Sequence, residues 1–235
     1  MSDIRQTTIT NLTNAIAALN ADLIANPVPA TTVPAAPAPA FIKIPFTQTA
    51  LNDYFVMLKA GASITWGPTS VDFQPPASAS TTANGTSSVL LNTPLVSAQN
   101  FKLRMTGVTE KQLRTSGPAK AWECLWVLFN FHMGSDGLPA FNYMAFKPTG
   151  LEIGTGFSGT GQTFLYTSAA PNFPINQTFS VEIDKQASVF SVLVNGVLVL
   201  NQVTLAGAFD VSGQFALYCE DAKCNVSDLE IMALS

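Results

Sequence analysis

Apolar residues follow two different spacings along the chain, and the change from one to the other falls near residue 40. In residues 1–26 they recur every three or four positions, which is the spacing of one face of an α-helix. From Phe41 onward they form short runs separated by Gly, Pro, Asn and Ser, as in a β-sandwich. The pattern therefore predicts a helix, a connecting arm and an all-β domain at 1–26, 27–40 and 41–235.

The predicted helix has one narrow apolar face, called here the anchor stripe, made of Ile9, Leu12, Ile16, Leu19 and Leu23. Two heptads are short for a helix in water, where about 12–15 residues is the lower limit. The flanking positions also lack the paired charges of a self-sufficient coiled coil. Three alternatives remain for the surface against which the stripe packs: a different protein or a neighbouring surface, a second copy of the chain, or the chain's own β domain.

Residues 27–40, "PVPATTVPAAPAPA", carry no charge and are rich in Pro and Ala. Each Pro fixes φ and removes an amide donor, so the segment is expected to be extended, partly as polyproline II. The pattern predicts a semi-rigid arm between the helix and the β domain.

Nine short apolar runs in the third zone have the length and composition of β-strands. They lie at 101–107, 122–131, 141–147, 163–167, 178–184, 187–194, 197–203, 213–219 and 229–234. Asn195-Gly196 between two β-branched runs predicts a two-residue hairpin turn. We expect a helical turn within 50–61 and a polar loop over 75–88.

Composition excludes several classes of function. Hydrophobic residues are 47% of the chain, charged residues only 11%, and the net charge is −4 with 11 dispersed Lys and Arg. A nucleic-acid surface needs clustered basic residues, so we expect none. No apolar run approaches the roughly 20 residues that span a bilayer. The N-terminus lacks the basic start and apolar core of a secretion signal, so we expect a chain that does not use ordinary secretion.

Four segments together resemble the concanavalin A-like lectin/glucanase superfamily, which includes laminin-G-like and family 16 glycoside-hydrolase-like modules. They are "AWECLWVLFNF", "FNYMAFKPTGLEIGTG", "FLYTSAAPNFPINQTFSVEIDKQASVFSVLVNGVLVL" and "GQFALYCEDAKCNVSDLEIMAL". The resemblance covers about residues 41–235 and implies a two-sheet antiparallel jelly roll of about 12–14 strands. Enzymes, lectins and structural modules all share this fold, so the resemblance does not decide the function.

Glu182 and Asp184 begin a motif like the carboxylate strand of family 16 hydrolases, because alternate residues of a strand share a face. Retaining glycosidases need two carboxyls about 5–5.5 Å apart. The next position on the same face is Gln186, so the acid/base of that motif is missing. With Lys185-Gln186-Ala187 interpreted as the turn that follows, we predict an outward polar face and no catalytic site.

Other chemistry-bearing residues lack a diagnostic spacing. His132 is the only histidine, and it lies at a strand end with no nucleophile elbow in the sequence. Cys219 and Cys224 are too far apart for a usual zinc knuckle, and Glu220-Asp221 fits a polar turn better than a calcium site. Three cysteines fit a reducing compartment. We therefore expect free thiols, no metal and no cofactor.

Aromatic side chains stack on the apolar faces of sugars, so exposed ones are candidates for a glycan site. On strand 122–131, alternation places Trp126 with Leu128 and Asn130 on one face, and Phe129 with Phe131 on the other. Both faces are apolar, so Trp126 is expected in the core.

A shallow glycan site is one hypothesis for four residues outside that pattern, with core or rim packing as the alternative. These are Trp66, His132, Asn142 and Tyr143.

The combination of anchor stripe, stiff arm and charge-poor β domain favours a non-enzymatic structural protein of a virus particle. A tethered arm raises the effective concentration of its second contact. The hypothesis is a bacteriophage capsid decoration (cement) protein or head fibre, made in the host cytoplasm. It would contact the major capsid protein and further copies of itself. A carbohydrate-binding, lectin-like module that recognises cell-surface glycans is the alternative, and a degenerate glycoside hydrolase comes third.

Overall fold

The computed structural model describes residues 39–51, 61–82, 85–157 and 161–235 of the 235-residue chain. The anchor stripe, nearly all of the arm and most of the helical turn expected at 50–61 lie outside the described residues. The chain divides into two units, Met1–Ala38 and Pro39–Ser235, and the fold below is that of the second unit.

Fourteen β-strands make up the described fold. They are β1 Ile42–Lys43, β2 Ser63–Trp66, β3 Ser70–Gln74, β4 Ser88–Ala98, β5 Asn100–Gln112, β6 Leu125–Met133, β7 Pro139–Lys147, β8 Gly150–Phe157, β9 Gly161–Ser168, β10 Phe179–Gln186, β11 Val189–Val194, β12 Val197–Thr204, β13 Gly213–Glu220 and β14 Ala222–Leu234. Each of the nine predicted runs overlaps one of them. Within the same residues, no helix has the length and apolarity needed to cross a bilayer.

The strands form two antiparallel sheets. The large sheet has the order β12-β11-β10-β5-β14-β3-β2, with β1 paired to β14, and the small sheet has the order β4-β13-β6-β7-β8-β9. This confirms the predicted all-β, two-sheet antiparallel architecture. The N-terminal helix and the arm, which belong to the same prediction, are not among the described residues.

The core lies between the two sheets, where alternate residues of each strand meet. Phe101 of the large sheet packs edge-on against Phe215 at 4.8 Å between ring centroids, and it contacts Phe129 at 5.3 Å. All three rings are fully buried. Aromatic side chains of this size bury about 150–250 Å² each, so they dominate the energy of such a core.

The hairpin at Asn195-Gly196 is confirmed, since both residues have positive φ, at 49° and 76°, as a type I′ turn requires. The turn predicted at Lys185-Gln186-Ala187 is wrong by two residues. Strand β10 continues to Gln186, and Lys185 is buried. Its Nζ donates to the carbonyl oxygen of Gln99 at 3.0 Å, which lets a charged residue occupy an inward position.

The predicted alternation on strand 122–131 holds only in its middle. The strand begins at Leu125, and Trp126 is 2% exposed, as expected for a core residue. Asn130 has a φ of 51°, and the register with β7 shifts there. A bulge of this kind moves later side chains to the opposite face. Phe131 therefore lies with Leu128 rather than with Phe129.

A buried ion cluster fixes the polar loop that precedes β4. Asp221 accepts hydrogen bonds from the backbone N–H groups of Ser78 and Ser87 at 3.0 and 3.1 Å. Arg114 pairs with both Asp221 and Glu123, and none of the three side chains is more than 1% exposed. The polar turn expected at Glu220-Asp221 is therefore present, with its aspartate buried and neutralised by an arginine.

Candidate functional site

The four residues of the sequence-based glycan site belong to different parts of the fold. Trp66 ends β2 at an edge of the large sheet and packs, half-buried, against the core. His132 lies near the end of β6 in the small sheet, with its Nδ1 2.7 Å from the carbonyl oxygen of Asn130. Its ring also packs edge-on against Phe209 at 5.3 Å.

Asn142 and Tyr143 are fully buried on β7. Asn142 Nδ2 donates to Asn130 Oδ1 at 2.8 Å and to the carbonyl of Phe209 at 2.9 Å, and its Oδ1 accepts from the N–H of Phe209 at 2.8 Å. The Tyr143 hydroxyl donates to Glu152 at 3.0 Å. The structure therefore does not bring the four residues onto one surface.

Tyr143 belongs to an aromatic cluster on the outer face of the small sheet. Its ring lies 4.8 Å from that of Trp126, which in turn packs against Tyr218 at 5.6 Å. Burial raises the pKa of Tyr143, and the neighbouring Glu152 carboxylate raises it further. The cluster includes other buried residues of this face: Leu90, Cys124, Leu128, Phe131, Ala145 and Ala216. Because they are buried, these rings do not offer an open stacking platform.

Glycine makes room for the aromatic cluster on β8. A Cβ on Gly154 would lie 2.5 Å from the Tyr143 hydroxyl oxygen, far inside van der Waals contact. Gly154 thus leaves space for the Tyr143 ring, while Glu152, two residues earlier on the same strand, accepts the hydrogen bond of its hydroxyl. The glycines were visible in the sequence, but their function depends on the pairing of β7 with β8.

An open depression, called here the sheet groove, lies on the outer face of the large sheet and has a volume of about 440 Å³. It crosses four strands at the point where β14 bulges near Asp228, whose φ is 53°. Its lining consists of Arg104, Met105, Thr106, Ser180, Val181, Glu182, Leu193, Gly196, Asp228 and Glu230.

One row of directly paired residues forms a wall of the sheet groove. Glu182 stands opposite Leu193 on one side and Arg104 on the other, and Arg104 stands opposite Glu230. The floor beside this row is made of small hydroxyl residues, because Ser180 pairs with Thr106 across β10 and β5. The groove is therefore lined by charged and hydroxyl groups above a low floor.

Arg104 is held in place from two sides. Its Nε donates to Glu230 Oε2 at 2.6 Å, and its guanidinium carbon lies 4.1 Å above the ring of Phe41. A cation over an aromatic face is attracted by the ring quadrupole. This arrangement leaves the guanidinium oriented while about half of the side chain, 49%, is exposed to solvent.

Glu182 and Asp184 face outward on β10, as predicted, but their surroundings differ. Asp184 Oδ2 lies 3.0 Å from Lys102 Nζ, and this hydrogen bond raises the pKa of Lys102. Glu182 makes no such ion pair with any described residue. Glu182 is thus the carboxylate in the groove lining that has no ion-pair partner among the described residues.

The described residues contain no group of three or more His, Cys, Asp and Glu placed to hold a metal ion. All three cysteines are buried free thiols.

The sequence pattern pointed to Glu182 as a site residue but not to Arg104, Thr106 or Glu230. Alternation places these side chains outward, yet only strand pairing brings β5, β10 and β14 together.

No protein-family model and no curated protein matches the sequence. Among solved structures, a native glycosidic hydrolase is similar with a TM-score of 0.54 and 10% identity, covering 83% of this chain and 94% of that chain. A Bacillus subtilis protein of unknown function with a galectin-like fold is similar with a TM-score of 0.53 and 9% identity, covering 73% and 86% of the two chains. These two likenesses show a shared jelly-roll fold, and this fold is the one that the resemblance of the sequence implied.

Proposed function

We propose that the protein is a carbohydrate-binding, lectin-like module that holds a neutral saccharide in the sheet groove without cleaving it. The observation that supports this proposal best is the groove itself, an open site of about 440 Å³ on a rigid sheet. Volumes of about 300–1,000 Å³ are usual for ligand sites. The fold is compatible with the proposal, because a glycosidic hydrolase and a protein of unknown function with a galectin-like fold share it.

The chemistry of the groove suits hydroxyl-rich ligands. Glu182 accepts hydrogen bonds from sugar hydroxyls, and the oriented guanidinium of Arg104 donates to sugar oxygens. The low floor at Thr106 and Ser180 leaves space for a ring, and Leu193 offers an apolar contact for its C–H groups. The groove lining carries three carboxylates and only one guanidinium, and the net charge of the chain is −4. Acidic sugars are therefore disfavoured as ligands.

The arrangement of the carboxylates supports the proposal of binding without hydrolysis. Retaining glycosidases place a nucleophile and an acid/base about 5–5.5 Å apart, both free to react. Here Asp184 is engaged by Lys102, and Gln186 takes the third position of the motif. Glu230 is engaged by Arg104. Glu182 is then left as a hydrogen-bond acceptor rather than as half of a catalytic pair.

The test is a glycan array with the full chain, followed by calorimetry on the neutral oligosaccharide that binds. Thr106→Arg fills the floor of the groove and is expected to abolish binding. Val108→Arg is the matched control, since it adds the same side chain two residues away on the same strand face, outside the groove lining. Equal affinity in both variants, or no neutral glycan bound, would overturn the proposal. Release of reducing sugar that Glu182→Gln abolishes would show a hydrolase instead.

A second proposal, capsid decoration or head fibre of a bacteriophage, is supported by a different observation. That observation is the predicted anchor stripe within residues 1–26, followed by the uncharged Pro/Ala segment 27–40, which together would attach the protein to a shell. In this proposal the protein lies on the virion surface and its partner is the major capsid protein. Purified virions should then contain the full chain, and deletion of residues 1–40 should release it. Virions without the protein would contradict the proposal.

A further inference from the structure

Strand β12, Val197–Thr204, is the outermost strand of the large sheet along its pairing path through the described residues. Its sequence, "VLVLNQVT", has no charge and no proline. Val197 and Leu198 are 64% and 51% exposed. Natural edge strands usually carry Lys, Pro or inward charges that prevent pairing with other chains, and β12 has none of these.

The other sheet edges are less suited to pairing. Strand β2 has four residues, and β4 is interrupted by Pro94. Strand β9 is uncharged, but it begins with Gly161 at a φ of 94° and exposes one large apolar side chain, Phe164. The run Val197–Leu200 alternates valine, which has a high β-propensity, with leucine, which is apolar. The pairing of β12 with β11 is irregular at two points, between Leu198 and Leu200 and again between Leu200 and Val203, where Gln202 has a φ of 50°.

We propose that β12 pairs antiparallel with β12 of a second copy of this chain around a twofold axis. An isologous contact must be complementary to itself, because the same residues meet from both sides. An uncharged strand meets this condition, since pairing brings no like charges together. Pairing also gives hydrogen-bond partners to the backbone N–H and C=O groups of this edge, which pair with no other strand among the described residues.

The proposed contact has a consequence for the sheet groove. Antiparallel strands of one sheet are related by a twofold axis perpendicular to the sheet, so the outer faces of both copies point the same way. Leu198 stands opposite Leu193, which lines the groove, so each groove lies close to the paired edge. A dimer would present two grooves on one continuous face, which raises avidity for repeated ligands. This consequence rests on the proposed function, whereas the pairing surface does not.

The test is sedimentation equilibrium of the full chain. We expect a mass of twice the 24.9 kDa of one chain, and its reduction by half in Leu198→Lys. Val197→Lys should act in the same way, which guards against a folding defect in either variant. Far-UV circular dichroism checks that both keep their sheets.

Two matched controls separate this edge from other contacts. Phe164→Lys places the same charge on the exposed residue of β9, and Ile16→Asp disrupts the anchor stripe; both variants should remain dimeric. A monomeric wild type, or a dimer that survives both β12 substitutions, would overturn the proposal. So would dissociation caused by either control. The sedimentation experiment contains no glycan, so a negative result would not contradict the proposed saccharide binding. The glycan array tests that binding separately.

Discussion

Nη2 of Arg114 donates to Oδ2 of Asp221 at 3.2 Å, with the two side chains 1% and 0% exposed. The same guanidinium reaches Glu123 Oε1 through Nε at 2.5 Å. One buried cation therefore compensates two buried carboxylates from different parts of the chain. Removing one partner of a buried pair leaves uncompensated charge, at a cost of about 3–5 kcal/mol. We expect Arg114→Met to lower the free energy of unfolding by about that amount in guanidinium titrations.

Arg104→Met is the control for this prediction. Its pair with Glu230 lies on the outer face, where the two side chains are 49% and 21% exposed. Exposed pairs contribute about 0–1 kcal/mol, because water already solvates both charges. Losses of equal size in the two variants would contradict the view that the Arg114 cluster is structural.

Asn142→Leu is expected to destabilise the fold by removing the amide that ties β7 to Asn130 and to Phe209. Three polar groups would lose this partner: the buried Asn130 Oδ1 and the partly buried N–H and C=O of Phe209. A buried polar group left without a hydrogen bond costs about 1–3 kcal/mol, so the loss at Asn130 Oδ1 sets the expected size of the effect. The exposed Asn172→Leu should change stability by less than about 0.5 kcal/mol. Urea unfolding of both variants measures the difference, and a small effect at Asn142 would show that water replaces the amide.

The three cysteines are expected to be unreactive in the folded protein. Burial raises the pKa of Cys124 and of Cys219 well above the usual thiol value, so little thiolate is present at neutral pH. Titration with a disulfide reagent should detect almost no thiol before unfolding and three per chain afterwards. Only one thiol after unfolding would instead reveal a disulfide bond between two of the three cysteines.

The stability of the fold is expected to depend on pH through the buried carboxyl of Glu220. Burial raises the pKa of this carboxyl, although the hydrogen bond from the Tyr218 hydroxyl lowers it in part. Between the unfolded value, about 4.3, and the raised folded value, the folded state binds more protons than the unfolded state. The stabilising contribution is therefore complete below the unfolded pKa and is lost as pH rises through the folded pKa.

Glu220→Gln removes this titration. We expect the variant to gain stability relative to the wild type as pH rises from about 4 to 8. Denaturant midpoints over that range, compared at each pH, measure the effect. A difference between the two proteins that does not change with pH would contradict the prediction.

The sequence by itself determined the local structure of the β domain. Alternating apolar residues place Phe179, Val181 and Ile183 inward and Glu182 outward wherever the strand lies. Asn195-Gly196 sets its hairpin because the residues at that turn must adopt positive φ. These properties depend on neighbours in the chain, so a single sequence reveals them. The order of strand runs also carried the resemblance that led to the correct fold.

Only the tertiary structure decided which outward residues became neighbours. The sheet groove exists because β5 lies between β10 and β14. This order places Arg104 between Glu182 and Glu230, which are 78 and 126 positions away from it in the sequence. The bulge at Asn130 and the burial of Tyr143 likewise depend on contacts with other strands. Long-range register is fixed by the joint burial of both sheet faces, a property of the whole chain that no local pattern encodes.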